Sequence, residues 1–163
     1  MRLKTLLLLS LVMIPAASRL SAESAVSADL PTRARGAARV VVAKVERVRA
    51  ERQRNEFGDE LIVSRAEVRV KAVLKGQGAA GDAMVVDVEG GTLDGITLRV
   101  SDMPSLSTGE EAVFFVTQDK QGRTVPHLRG QGVLKLDANG RIHGSNLTVD
   151  DVRTAVATSR QAR

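Results

Sequence analysis

The clearest pattern of apolar and polar positions runs from Leu61 to Leu74. Ile62, Ala66, Val68, Val70, Ala72 and Leu74 share one parity, while Arg65, Glu67, Arg69 and Lys71 hold the other. Successive side chains of a strand point to opposite faces, so this alternation predicts a long antiparallel-type strand with one buried and one wet face. A helix would scatter the same charges around its circumference. Val40 to Val48 predicts an earlier strand with Val41, Ala43 and Val45 on one face. Arg49 to Glu60 between them is polar and predicts a connection, either a helical turn or a flexible hairpin loop.

Further strands are predicted at short spacing. Met84, Val86 and Val88 oppose Val85, Asp87 and Glu89, and Ile96, Leu98 and Val100 oppose Thr97, Arg99 and Ser101. Ala112 to Thr117 is apolar on both parities and belongs at the centre of a sheet. Pro126 demotes Arg123–Leu128 to an edge, because proline has no N–H for a ladder. Gly132, Leu134 and Leu136 alternate with Val133, Lys135 and Asp137. Asp94-Gly95, Gln121-Gly122 and Asn139-Gly140 are turn signals between these runs. The end of the chain changes period. Thr148 followed by Asp150 and Asp151 predicts a capped helix start, and Val149, Val152 and Val156 predict one amphipathic helix over 149–160. About six to seven short strands and one helix predict a mainly β fold: a small antiparallel OB-like barrel with a C-terminal amphipathic helix.

The first residues follow neither period. Arg2 and Lys4 precede a 13-residue apolar run, Thr5 to Ala17, broken by Pro15. A membrane span needs about 20 residues, so residues 1–22 predict a signal peptide and an exported chain, periplasmic or extracellular. Residues 23–38 are small and polar, interrupted by Pro31 and Gly36, and predict a flexible leader. Residues 39–163 remain as one domain.

Composition removes several chemistries. With no cysteine, the 163-residue chain has no disulfide, thiolate nucleophile or thiolate metal site. The 22 valines agree with strands. The net charge of +5 shrinks once divided: residues 1–22 carry three basic groups and no acid, leaving 21 basic against 19 acidic groups. Residues 33–54 are locally basic, but Phe57 is the only aromatic near them. Nucleic-acid binding on a small barrel calls for stacking aromatics in a basic groove, so no nucleic-acid partner is expected.

The candidate motifs each have a simpler reading. Gly76-Gln77-Gly78-Ala79-Ala80-Gly81 spells a dinucleotide fingerprint, but a strand pattern follows it where the pyrophosphate needs a helix N-terminus. A hairpin loop explains it, and no cofactor is expected. His127 and His143 lack the spacing of a metal site, and Asp137-Ala138-Asn139-Gly140 reads as a tight turn, so no metal is expected. No serine sits in a nucleophile motif. Asp87, Glu89, Glu110 and Glu111 could serve a two-carboxylate hydrolase, although such acids usually form a solvated face.

VRVKAVLKG (68–76), EGGTLDG (89–95), MPSLSTGEEAVFFV (103–116) and GQGVLKL (130–136) resemble stretches of a loose family of uncharacterised exported bacterial proteins. That family is distantly similar to the netrin/tissue-inhibitor-of-metalloproteinase module, an OB-like barrel. The resemblance spans residues 38–155 and implies the barrel. It implies no inhibitor mechanism, which uses an N-terminal cysteine that this chain lacks. The combined expectation is an exported, non-enzymatic module without a membrane span that binds a protein or cell-envelope partner. In an OB-like barrel the loop between the first two strands belongs to the binding surface, which points to Arg49, Arg52 and Arg54 meeting an acidic partner. The alternative is a secreted carboxylate-dependent hydrolase.

Overall fold

The computed structural model describes residues 30–55 and 57–161. A helix, α1, covers residues 30–36. The strands are β1 (Arg39–Arg54), β2 (Glu60–Lys75), β3 (Ala83–Glu89), β4 (Gly91–Leu93), β5 (Ile96–Leu98), β6 (Glu111–Gln118), β7 (Thr124–Pro126) and β8 (Val133–Lys135). A 3-10 turn at Arg129–Gly132 separates β7 from β8, and helix α2 (Val149–Gln161) follows. Six strands form one antiparallel sheet in the order β3-β2-β1-β6-β7, with β8 also pairing β6, and β4 and β5 make a separate hairpin.

Central β6 packs on both faces, as its sequence predicts. Ala112, Phe114 and Val116 join Val41, Ala43, Val45, Val68, Val70, Val86 and Val88 in one core cluster. Val113 and Phe115 join Val40, Val42, Leu30, Val152 and Val156 in a second, between the sheet and the two helices. The start of α2 is a capping pair: Thr148 N and Oγ1 donate to Asp151 Oδ2 at 2.7 and 2.8 Å.

The mainly β fold with its C-terminal helix stands, but the expected barrel is not closed. β3 and β7 come into contact without pairing. β7 is three residues long and ends on Pro126, which has no N–H, so little ladder is available to join the edges. The face assignment of β2 also needs correction. β-bulges at Lys71 and Leu74 shift the register against β1. Each bulge adds one residue and swaps the face of those that follow. Ala72 and Leu74 therefore pack with the helical cluster, and Val73 with the other.

Two polar stretches are more ordered than their composition suggests. Arg49 to Glu60 is not a connection: β1 runs to Arg54 and β2 starts at Glu60. The backbone ladder holds this arm, assisted by cross-strand charges such as Arg65 Nη1 to Glu51 Oε1 at 3.3 Å. Within the leader, residues 30–36 are helical. Leu30, Ala34 and Ala37 fall at the i, i+4, i+7 spacing of a helical stripe and are buried. Lys75 Nζ closes the end of α1, donating to the carbonyls of Ala34, Arg35 and Ala37 at 2.7, 3.1 and 2.6 Å. The expected signal peptide, residues 1–22, falls outside the described residues.

Candidate functional site

A cleft of about 480 Å³ opens along the unpaired seam, where the far end of the β1–β2 arm and β3 face the β6–β7 turn. Val63, Met103, Val125 and Pro126 give it apolar walls, and Phe57 stands on its rim at 82% exposure. Asp87 lines it from β3 and is only 5% exposed. Strand register places Asp87 opposite Arg65 and Glu89 opposite Val63.

The Asp87 carboxylate is incompletely satisfied. Gln53 Nε2 donates to Oδ2 at 3.2 Å. Arg65 Nε lies 3.3 Å from Oδ1, within ion-pair range, yet it is not aligned as a hydrogen bond, and Oδ1 accepts none among the described residues. Burial of an unsatisfied carboxylate oxygen costs free energy and marks the position as one that demands a reason.

The neighbouring charges are bound to one another. Gln53 also donates to Glu51 Oε1 at 2.7 Å and accepts from Arg123 Nη1. Arg123 Nε donates to Asp119 Oδ2 at 2.7 Å. Burial pushes the Asp119 carboxyl up, but the backbone N–H and guanidinium of Arg123 more than offset it and hold it below the usual range. Across the seam, Arg129 donates to Asp102 and, at 3.0 Å, to Glu89 Oε2. The Asp102 hydrogen bond above all raises the basicity of Arg129. The charged side chains that line the cleft are three carboxylates (Asp87, Glu89, Asp119) and four cations (Arg54, Lys120, Arg123, Arg129).

No protein-family model matches this chain, and no curated protein matches it.

The three arginines singled out in the sequence do not form one patch. No bulge interrupts β1 between Arg47 and Arg54, so parity puts Arg49 on one face and Arg52 and Arg54 on the other. All three are exposed strand residues, not loop residues. Arg52 lies 3.8 Å from Asp94 and Arg54 lies 3.7 Å from Glu60; Arg54 alone of the three lines the cleft. Of the four acids, the fold brings Asp87 and Glu89 into the cleft. Glu110 and Glu111 go elsewhere, paired with Lys135 at 2.8 Å and with Lys71. Residues 76–81 form the β2–β3 loop, with Gly76, Gly78 and Gly81 at φ 89°, 111° and 93°, and strand β3 follows. Asp137 Oδ1 accepts from the backbone of Asn139 and Arg141 at 2.8 and 2.9 Å, a tight turn. Among the described residues no group of three His, Asp or Glu side chains is placed to hold a metal ion, and no helix is long and apolar enough to cross a membrane.

Sequence reasoning missed Gln53, Arg123 and Arg129. The contacts that tie Gln53 to Asp87 and Arg123, and Arg129 to Asp102 and Glu89, span 27 to 70 residues, and no local pattern carries such pairings. The signal within reach was Asp87 itself, a charge between Val86 and Val88 in a strand otherwise rich in valine.

Proposed function

We propose that this chain is an exported, non-enzymatic binding module and that its protein or cell-envelope partner docks at the seam cleft. The supporting observation is the pairing of buried, under-satisfied Asp87 with a half-open, partly apolar cleft rimmed by exposed Phe57. Binding sites commonly join apolar walls to a few convergent polar groups. Export rests on the charge and apolar pattern of residues 1–22, and the OB-like resemblance agrees with a binding role. Of the three arginines expected to meet an acidic partner, Arg54 lies at the cleft.

Photo-crosslinking in the producing cell tests this reading. A photoreactive residue at Phe57 should yield a discrete adduct, while one at exposed Thr158 on α2 should not. Adducts at both positions alike, or at neither, would overturn it. N-terminal sequencing of exported material should start between Arg19 and Ala28; an intact Met1 in soluble cytoplasmic protein would remove export. The convergence of Asp87 and Glu89 on one cleft favours a second reading, hydrolysis. Turnover on a substrate panel that Asp87→Ala abolishes would establish it.

A further inference from the structure

Building on that use of the cleft, we infer that it recognises a basic group, the ammonium or guanidinium of a lysine or arginine side chain on the partner polypeptide. Three features of the cleft converge on this chemistry. Asp87 is 95% buried by its 5% exposure, and its Oδ1 lacks a hydrogen-bond donor among the described residues. The lining guanidinium groups are already engaged, Arg54 with Glu60, Arg123 with Asp119 and Arg129 with Asp102 and Glu89, so Asp87 is the acceptor in the cleft with capacity left for a donor. Phe57 offers an exposed ring at the rim, where a cation can lie against the aromatic face. The apolar walls formed by Val63, Val125 and Pro126 suit the aliphatic stem behind such a head group.

Arg65 stands in for the guest. It is 45% exposed and reaches both Glu51 Oε1 and Asp87 Oδ1 at 3.3 Å. An arriving cation displaces this half-exposed head from Asp87 and donates to Oδ1 in line, an alignment that the chain's own arginine does not achieve. Arg65 is therefore an internal competitor, and its removal strengthens the site. A merely structural ion pair would behave in the opposite way.

The test uses ¹⁵N-labelled mature protein titrated with N-acetyl-arginine amide and N-acetyl-lysine amide, with N-acetyl-norleucine amide as the uncharged control. The basic amides should shift the backbone signals of Gln53, Asp87 and Gln121 saturably, and the norleucine compound should not. Asp87→Asn should weaken binding about tenfold or more, Phe57→Leu about threefold, and Arg65→Gln should tighten it. Equal shifts with norleucine, unchanged affinity in Asp87→Asn, or an Arg65→Gln variant that binds no better would overturn the inference. If Asp87→Asn loses its folded spectrum, the other two variants decide, since both change exposed side chains. Spermidine binding more tightly than either amide would assign the cleft to free polyamines and overturn the polypeptide source. A crosslink at Phe57 without binding of the basic amides would leave the docking site standing and remove only this ligand chemistry.

Discussion

At the scale of single residues, adjacent positions on β2 have opposite fates. Val70 is 1% exposed inside the first core cluster. Arg69 points outward, with Nε and Nη2 on the Glu46 carboxylate at 3.1 and 3.0 Å. That hydrogen-bonded fork holds the Glu46 carboxyl below its usual range. Val70→Asp buries a carboxylate without a partner and should cost about 3–5 kcal/mol in urea denaturation. Arg69→Asp should cost far less, because water takes over its contacts. This contrast was legible in the sequence as simple alternation. The bulges that reverse the faces of Ala72 and Leu74 were not, since a bulge is decided by the register of a partner strand. Leu128 is another such case. It sits at φ 56° and Arg129 likewise at 56°, a left-handed backbone that side chains other than glycine disfavour. Leu128 is partly exposed, so Leu128→Gly relieves strain and gives up little packing. Its thermal midpoint should rise slightly, by about 0.5–1 kcal/mol of added stability. A lower midpoint would show that the leucine contacts outweigh the strain.

Elements in this fold are fastened by single side chains reaching over long sequence distances. Arg33 Nη1 donates to Gln131 O at 2.8 Å, and Lys75 caps α1 with three carbonyl contacts. Lys75→Met should cost about 1.5–3 kcal/mol and speed amide exchange at the end of α1 well before global unfolding. His127 packs against the same helix: a side chain at Gly36 would place its Cβ 2.2 Å from His127 Nε2. Burial first, and then the charge of Lys75, hold the imidazole below its ordinary value of 6.5. The folded state therefore prefers neutral His127. Its contribution is fully present above pH 6.5 and is lost as pH falls through the folded value, where the unfolded chain binds the extra proton. Acidification from neutrality should lower the stability of the natural chain more than that of His127→Gln, compared by denaturation midpoints. Neither dependence was legible in the sequence. Residues 30–36 read as leader because Pro31 and Gly36 dominated their composition, while the stripe of Leu30, Ala34 and Ala37 is short and made mostly of alanine.

For the molecule as a whole, the long alternating strand, the twice-buried AVFFVT run, the proline-limited edge and the terminal helix were all visible in the pattern of the chain. Closure was not, because it depends on whether β3 and β7 meet in register, and no local period reports that. The two edges are joined instead by side chains, Arg129 to Glu89 directly and Gln53 of β1 as a bridge between Asp87 and Arg123. Backbone ladders are nearly indifferent to ionic strength, whereas partly exposed ion pairs weaken as salt rises. Amides of β3 should therefore exchange faster in high salt, while those of β6 hold steady; equal responses would mean that the seam is not held by charge. The unpaired seam also bears on the speed of recognition. A guest arriving there has no backbone hydrogen bond to break. Admission needs only side-chain rotations, which take picoseconds to nanoseconds at exposed positions, rather than the microseconds or longer of local unfolding. Encounter by diffusion, not the opening of the fold, would then set the pace at which this protein captures what it binds.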